Sequence, residues 1–481
     1  MHSHDKNKDV DLFLREFNLT LSRGTATGVA DFSDFVFPVD FFPPKEFPVR
    51  CEFESAVFLG DVSFFKAIFQ QGAGFNFVHF EAHADFDRCV FNGPASFDYA
   101  GFATSMSFKS CVFRQSAHFN HAHFPAFVDF SNTQFLDAVE FRETSFAGAH
   151  KVGQYDPSLP GPVFSRASFA KPELVVFYKC YLGQALFCNC DVSRFMFSNI
   201  TWRRRTSNGK KMVFEEDVSL SSATHDLPDG GICVFPLKPR SRQADERSYD
   251  LVAELYQQLK KNYDDRRDYW TAGDFHYGEM EMKRMATPQP NRLSHWFAEE
   301  IKSFLASEKQ HFVARWAKKR GYSERNFHVF RREWHRHLGL AAWYKYASEY
   351  GESYGRPALW LAGFLLLFML LYPISGLHPA IRAGGAQPAV YDSVSRDAGA
   401  PELSYHNYIL YGSLQRGGEK LSFPALLGDS LMTSVAVAAL QRDPAYEPSY
   451  PWGRALSWFE LVLTSTLIAL FLLAVRRQFR R

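Results

Sequence analysis

Four polar residues stand where the surrounding sequence is apolar enough to lie in a membrane. Glu460 interrupts the apolar run 455–475, and Thr464 follows one helical turn later. Thr433 and Ser434 lie within 421–440, a stretch rich in apolar and small residues. An ionisable residue in such a run must face water, a partner or the membrane interface. These four residues are therefore candidate pore-lining residues. The alternative is a lone anchor whose Glu460 reaches the lipid headgroups.

A second candidate site is basic. Residues 309–336 hold nine Lys or Arg against two Asp or Glu, interleaved with aromatic residues. Such a mixture can stack on nucleic acid. An apolar run begins about twenty residues later, which favours an anionic lipid surface, where each charge contributes about 1 kcal/mol. The predicted lipid-surface residues are Lys318, Lys319, Arg320, Arg331, Arg332 and Arg336.

The sequence carries none of the motifs of the common enzyme classes. It lacks a Walker loop, a dinucleotide fingerprint, a His-Glu-x-x-His helix and a nucleophile elbow. Cys188-Asn-Cys190 and the five histidines from His79 to His123 are better explained as structural thiols and surface side chains than as metal ligands. We therefore predict that the protein is not an enzyme and that it has no catalytic residue, metal or cofactor.

Two long apolar runs predict membrane-spanning helices at about 357–375 and 455–475. The second ends in Arg476-Arg-Gln-Phe-Arg-Arg, and flanking arginines place both outer ends in the cytoplasm. A third crossing at 421–440 would put the C-terminal arginines on the wrong side, so this stretch is predicted to be a re-entrant helix. The expected localisation is a bacterial inner membrane, with cytoplasmic N- and C-termini.

The first half of the chain is dominated by a ladder of phenylalanines. Eighteen Phe residues run from Phe53 to Phe146 in steps that alternate between five and six residues, and a compact, mostly apolar residue stands two places before each. Neither an α-helix nor a straight strand puts that spacing on one side. The chain must therefore turn a corner between successive Phe residues and wind into a coil with every Phe inside. The ladder resumes at Phe164 and then shifts to steps of five, and the Gly- and Pro-rich interruption at 147–162 should loop out.

This pattern resembles the Phe-centred variety of the pentapeptide-repeat family over residues 51–199. The resemblance implies a right-handed quadrilateral β-helix, a solenoid with four sides. Each coil would use 22 residues, two periods of eleven, and coils would stack about 4.8 Å apart. Seven cysteines, most of them at inward positions of this coil, suggest a reducing compartment.

The regions around the ladder complete a multidomain chain. We expect an N-terminal segment and cap at 1–50 and a basic, irregular linker at 200–243. Residues 244–350 are predicted to be a helical linker domain that ends in the basic juxtamembrane stretch. Apolar stripes around Leu259 and Phe275 loosely resemble one tetratricopeptide hairpin, which we interpret as packing rather than as a peptide groove. Residues 351–481 form the α-helical membrane domain, with two transmembrane helices and the re-entrant helix.

A helix, a re-entrant helix and a second helix resemble the pore module of two-helix ion channels. After Thr433-Ser434, however, the chain reads Val-Ala-Val-Ala-Ala-Leu and lacks the Gly-Tyr-Gly filter, so potassium selectivity is not implied. The first hypothesis is a membrane-anchored scaffold whose cytoplasmic β-helix binds a protein. The alternative is an oligomeric, ion-channel-like protein regulated by the β-helix. Expected partners are membrane lipids, an unidentified protein and further copies of the chain.

A third hypothesis, mimicry of DNA toward a topoisomerase, is implied by some soluble members of the repeat family. It requires a strongly acidic coil, whereas residues 42–200 hold 15 Asp or Glu against 12 Lys or Arg. The net charge of the whole chain is +2, which gives no reason to expect nucleic acid as a partner. We therefore disfavour this hypothesis.

Overall fold

The structure, a computed structural model, describes residues 9–38, 41–125, 127–146, 161–216, 244–286, 336–375, 377–379, 415–416, 419–420, 423–440, 446–448 and 451–479. The chain divides into two compact units, Met1–Gly321 and Tyr322–Arg481. The first unit contains a β-solenoid and a helical hairpin. The second contains the apolar helices.

The first unit starts with helix α1 (Val10–Thr27) and continues into a parallel solenoid of about seven turns. Its regular Phe stacking fits a pentapeptide-repeat fold. The solenoid strands are β1 Val29–Asp31, β2 Val36–Phe37, β3 Glu46–Phe47, β4 Arg50–Glu52, β5 Val57–Phe58, β6 Val62–Ser63, β7 Ile68–Phe69, β8 Ala73–Gly74, β9 His79–Phe80, β10 Ala84–Asp85, β11 Val90–Phe91, β12 Ala95–Ser96, β13 Gly101–Phe102, β14 Met106–Ser107, β15 Val112–Phe113, β16 Ala117–His118, β17 Val128–Asp129, β18 Gln134–Phe135, β19 Val139–Arg142, β20 Pro162–Val163, β21 Ser168–Phe169, β22 Val175–Tyr178 and β23 Met196–Ser198.

These strands form four parallel sheets, each built from every fourth strand or nearly so. The register repeats from coil to coil, since Ala73 lies opposite both Cys51 and Ala95. Along the predicted ladder, equivalent residues of successive coils are 22 positions apart, as with the Asn120 amide and the Asp98 carboxylate that accepts its hydrogen bond. The predicted coil length is confirmed.

In each step of five residues a tight corner follows the first Phe, and the residue two places after that Phe has a left-handed backbone conformation. After Phe53, Ser55 has φ 57°, and the N–H of the inward Ala56 donates to the Phe53 carbonyl at 3.0 Å. The same left-handed position recurs at Lys66, Phe77, Arg88, Tyr99, Ser110, His121, Asn132 and Glu143. A side chain at this position faces away from the core, so it is free to vary. The extra residue in each step of six gives a wider corner.

The inward Phe side chains stack in columns along the solenoid. Phe97 is 0 % exposed and lies between Phe75 and Phe119, with ring centroids 5.0 and 5.1 Å away and planes within a few degrees of parallel. Parallel rings at this spacing add about 0.5–1.5 kcal/mol per pair beyond the burial of their area. The predicted inward position of the ladder is confirmed.

The small inward residues satisfy carbonyl groups of the preceding coil. Cys89 Sγ donates to the Phe64 carbonyl at 3.0 Å, and Thr133 Oγ1 donates to the Phe108 carbonyl at 2.6 Å. Six cysteines lie among the described residues, and all six are free and buried. These thiols are therefore structural parts of the core.

The solenoid begins earlier in the chain than the expected boundary at residue 51. Strand β1 pairs with β4 and β2 pairs with β5, and Phe32 stacks on Phe53 at 5.1 Å. Part of the segment at 1–50, which was expected to be a terminal segment and cap, therefore belongs to the first coil. The cap is α1, whose buried Phe13 and Phe17 pack against Phe37.

The interruption predicted to loop out at 147–162 ends earlier than expected, because Pro162 already lies in strand β20. Residues 147–160 lie outside the described part of the chain, but β20 pairs with β17 and continues that sheet. A 3₁₀ turn (Pro172–Leu174) precedes β22. From there Val176 lies opposite Met196, twenty residues later, as four steps of five require. The shift to a coil of pure fives is confirmed.

Two helices close the other end of the solenoid. An antiparallel pair, β24 (Arg203–Arg204) and β25 (Lys211–Met212), leads to the hairpin α2 (Ala244–Asp265) and α3 (Tyr269–Met285). One face of α2 bonds to the open edge of the last coil. Gln258 Oε1 accepts the Val192 N–H at 3.1 Å, Asn262 Nδ2 donates to the carbonyl of Phe195 at 2.7 Å, and Arg266 donates to the carbonyls of Phe195 and Phe197.

A buried carboxylate replaces a missing carbonyl at the same end. One coil earlier, the Phe164 N–H donates to the Leu186 carbonyl of the next coil. The equivalent Phe187 N–H donates instead to Glu215 Oε1, and Glu215 Oε2 has no hydrogen-bond partner. Burial raises the pKa of Glu215 to about 7.

The second unit contains four helices among its described residues: α4 (Leu340–Ser348), α5 (Gly355–Ser375), α6 (Phe423–Ala438) and α7 (Pro451–Phe479). Its strands form two antiparallel pairs, β26 (Leu377–Pro379) with β29 (Tyr446–Pro448), and β27 (Gln415–Arg416) with β28 (Glu419–Lys420). Within the described part of the chain, α5 and α7 are the two helices long and apolar enough to cross a membrane. Helix α6 is shorter and packs against both.

Helices α5 and α7 are held together at both ends by contacts of the residues that flank or end them. The strand that follows α5 pairs with the strand that precedes α7, so these two ends lie together. At the opposite ends, Arg477 of α7 donates to Glu352 Oε1 at 3.1 Å and to the Tyr350 carbonyl at 3.0 Å, just before α5. The two apolar helices are therefore antiparallel neighbours.

Candidate functional site

A polar seam runs between the three apolar helices of the second unit. Helix α7 buries a stripe at near-heptad spacing, Gly453, Glu460, Thr464, Leu467 and Ala474. Helix α5 buries Phe368, Tyr372 and Ser375 at a similar spacing, because residues three and four apart share a helix face. Helix α6 adds the buried side chains Ser430, Thr433 and Ser434. Large apolar side chains of α5 and α7, such as Leu366, Leu370 and Val462, are exposed on the outer faces of these helices.

The centre of the seam is a cluster of one residue from each helix, Tyr372, Ser434 and Glu460, called here the polar cluster. The Tyr372 hydroxyl donates to Glu460 Oε2, and the Ser434 hydroxyl donates to Glu460 Oε1. All three side chains are 0 % exposed. No ion pair joins Glu460 to any residue that the structure describes. The carboxyl group is thus held by two neutral donors.

A second acceptor for Ser434 and one further hydroxyl group, that of Ser430, lie at the edge of the cluster. Ser434 Oγ is also 3.5 Å from the carbonyl oxygen of Leu365 on α5, so its hydrogen has a second acceptor within reach. Ser430, one turn earlier on α6, is fully buried, and its Oγ has no hydrogen-bond partner. Buried hydroxyls normally have a partner. The cluster therefore holds spare hydrogen-bonding capacity.

The structure brings together two of the four predicted pore-lining residues, Ser434 and Glu460. The other two bond to their own helices: Thr433 Oγ1 donates to the Asp429 carbonyl at 2.8 Å, and Thr464 Oγ1 donates to the Glu460 carbonyl at 2.8 Å. Back-bonded threonines need nothing from neighbouring helices. All four side chains are buried within one copy of the chain.

Tyr372 is the residue of the cluster that the sequence did not reveal. An aromatic residue near the end of an apolar helix is usual at a membrane interface. The only available signal was its position one residue before Pro373, inside the helix. A helix interrupted by proline often carries polar partners nearby.

The predicted lipid-surface residues fall almost entirely outside the described residues. Lys318, Lys319, Arg320, Arg331 and Arg332 are not among them. Arg336 is the first described residue of the second unit and is partly exposed. The lipid-surface site stays a prediction.

The solenoid offers a different kind of surface, an aromatic column formed by Phe77, Tyr99 and His121. These residues occupy the left-handed corner of three successive coils, with ring centroids 4.7 and 4.5 Å apart. Phe77 is 45 % exposed and Tyr99 is 48 % exposed. Glu143 continues the column and pairs with Lys179 at 2.9 Å. Outside the core, large aromatic side chains are thus aligned on one edge.

Metal binding finds no support among the described side chains. They contain no group of three or more His, Cys, Asp or Glu that could hold a metal ion. The two thiols of Cys188 and Cys190 are both buried, and burial raises the pKa of Cys188 to about 12. A thiol with such a pKa is a poor metal ligand, because the ligand is the thiolate.

Comparison with known proteins returned no match: no protein-family model, no curated protein and no solved structure is similar to this chain.

Proposed function

We propose that the protein is a membrane-anchored scaffold whose solenoid binds a protein partner. In this proposal the solenoid is a right-handed, four-sided β-helix of the pentapeptide-repeat kind. Helices α5 and α7 cross a bacterial inner membrane and α6 is re-entrant. The N- and C-termini are both cytoplasmic. The pairing of the ends of α5 and α7 supports a two-helix hairpin, which returns the chain to the side from which it came.

The observation that carries the proposal is the closure of both solenoid ends. Open strand edges are the usual sites for adding another chain. Here α1 covers one edge, and the polar face of α2 occupies the hydrogen-bonding groups of the other. A partner must therefore dock on the sides. The aromatic column projects from one of them, and exposed aromatic residues are common anchors in protein interfaces.

Site-specific photo-crosslinking tests this function in the full chain. A photoreactive amino acid at Tyr99 should give an adduct with one protein, and the same group at the exposed Arg114 is the matched control. The identified protein is then purified and bound to the full chain in nanodiscs. Replacing Phe77 and Tyr99 together with Ala should weaken this binding about tenfold or more, a loss of about 1.4 kcal/mol. Equal affinity for the double variant, or no adduct above the Arg114 control, would contradict the proposal.

A second candidate function is ion conduction by an oligomer of the membrane domain. The specific observation in its favour is the polar seam, since buried ionisable and hydroxyl groups in apolar helices commonly mark ion pathways. In this candidate, oligomer formation would align the seams of neighbouring copies, and the solenoid would regulate the pore.

Recordings from planar bilayers test the second candidate. A conductance whose cation preference changes with Glu460→Gln would support it, and Thr466→Ala, at an exposed position of α7, is the control. Absence of any conductance from an inserted, oligomeric sample, under voltage and varied pH, would reject ion conduction and leave the scaffold function as the remaining proposal.

A further inference from the structure

We propose that Glu460 is a proton-binding site in the membrane domain and that the hydroxyl of Ser434 switches partners when the proton binds. The site is the polar cluster, and its ligand is a proton exchanged with the aqueous phase. This inference goes beyond the scaffold function and does not depend on it.

The ionised form is the one in which Glu460 accepts two hydrogen bonds. The donors are the Tyr372 hydroxyl from α5 and the Ser434 hydroxyl from α6. A carboxylate buried in apolar surroundings without a cation keeps most of its desolvation penalty, which in proteins amounts to several kcal/mol. Two neutral donors reduce that penalty only in part. The cluster therefore holds a charge that a proton would remove.

The same positions accommodate the protonated form with one rotation. A protonated carboxyl group needs an acceptor for its O–H. Ser434 Oγ becomes that acceptor if its own hydrogen turns to the Leu365 carbonyl, which lies 3.5 Å away. Tyr372 can continue to donate to the other carboxyl oxygen. Each form thus has every polar hydrogen of the cluster directed at an acceptor.

The switch changes which helices α6 is bonded to. In the ionised form Ser434 donates to α7, and in the protonated form it accepts from α7 and donates to α5. The proton therefore adds a link between α5 and α6.

Among the described residues, few other titratable groups lie on the elements that pack around the cluster. On α5 the group is Tyr372, and on α6 the nearest is Asp429, five residues before Ser434. The pair of Glu352 and Arg477, with Tyr350 beside it, lies at the far end of α7, seventeen residues or about 25 Å along the helix from Glu460. On α7 itself Arg454 is exposed, and the adjacent strand β29 carries Tyr446 and Glu447.

Infrared difference spectroscopy of the full chain in nanodiscs tests the proposal. Acidic-minus-alkaline spectra are recorded in a Glu215→Gln background, because burial raises the pKa of Glu215 to about 7 and this group would add a band of its own. They should show a carbonyl band of a protonated carboxyl group. This band should disappear in Glu460→Gln, because an amide keeps one donor and one acceptor but cannot titrate. Among the described residues of this unit, Glu352→Gln removes the other buried carboxylate and Asp429→Asn removes the carboxylate of α6; both controls should retain the band.

Two further variants keep Glu460 and test the partner switch. Tyr372→Phe and Ser434→Ala each remove one hydroxyl of the cluster and should move the midpoint of the titration. A midpoint that neither variant moves would overturn the proposal. So would a band that survives when Glu460→Gln is added to the Glu215→Gln background, the absence of any titrating band from that background, or a band that responds to sodium at constant pH.

Discussion

The Phe columns make the contribution of a single side chain depend on its place in the repeat. We expect Phe97→Ala to lower the free energy of unfolding of the solenoid by about 3–5 kcal/mol, because it removes a fully buried ring between two others. Gln115→Ala, at an exposed position of a neighbouring coil, should change it by less than about 0.5 kcal/mol. Hydrogen exchange of solenoid peptides in increasing denaturant measures both. Equal losses would be incompatible with an inward ladder.

Glu215 gives the last coil a pH-dependent stability. Its pKa is raised from an ordinary 4.5 to about 7 by burial, so the folded chain binds a proton that the unfolded chain releases. The contribution is fully present below about pH 4.5 and is lost as the pH rises to about 7, a total of about 3 kcal/mol. Glu215→Gln keeps an acceptor for the Phe187 N–H and should flatten this dependence.

The measurement for Glu215 is hydrogen exchange of peptides from the last coil, in denaturant, over a series of pH values. Glu254→Gln, at an exposed position of α2, is the matched control and should retain the wild-type slope. A Glu215→Gln variant with the wild-type slope would assign the pH dependence to another group.

The polar cluster shows how far single residues can be interpreted from sequence. The sequence singles out Glu460 because it is the one ionisable residue in the apolar run 455–475. Tyr372 and Ser430 were not, since both belong to residue types that occur in such helices without any special role. Which hydroxyl meets the carboxylate depends on how three helices pack, and that arrangement leaves no local signal.

Among the secondary-structure elements, α2 satisfies the open hydrogen-bonding groups of the last coil. Asn262 donates to the carbonyls of Val192, Ser193 and Phe195, positions where another coil would otherwise bond. We expect Asn262→Asp, which removes the donor and adds a charge, to destabilise the last coil by about 2–4 kcal/mol. Faster hydrogen exchange at 190–198 would measure this. Gln257→Ala, on the exposed face of the same helix, should leave exchange unchanged.

The regular elements were predictable where the repeat is strict and were missed where it is not. Eighteen residues in alternating steps of five and six leave one class of fold. The first coil escaped notice because prolines lie among its Phe residues, and because its β1 and β2 are offset by 21 residues from the second coil instead of 22. Its pairing with the second coil, rather than its own pattern, fixes it as part of the solenoid.

For the whole chain, the proposed membrane arrangement makes a topological prediction. Reporters fused before Met1 and after Arg481 should both register as cytoplasmic, because two crossings return the chain to its starting side. A cysteine placed at Tyr405, which lies outside the described residues, should react with an impermeant reagent only from the other side. Opposite locations for the two termini would mean that α6 also crosses the membrane.

The 22-residue register along the Phe ladder also limits how the length of this protein can change. Adding or removing 22 residues would leave every inward side chain inward and move the two end caps apart or together by about 4.8 Å. A gain or loss of one residue within a strand would instead turn the following ladder inside out. Strands β19 and β20 pair with the strands of neighbouring coils on either side of residues 147–160, which lie outside the described part of the chain. The solenoid can therefore change its length, with its core unchanged, only by whole coils or by insertions outside the strands.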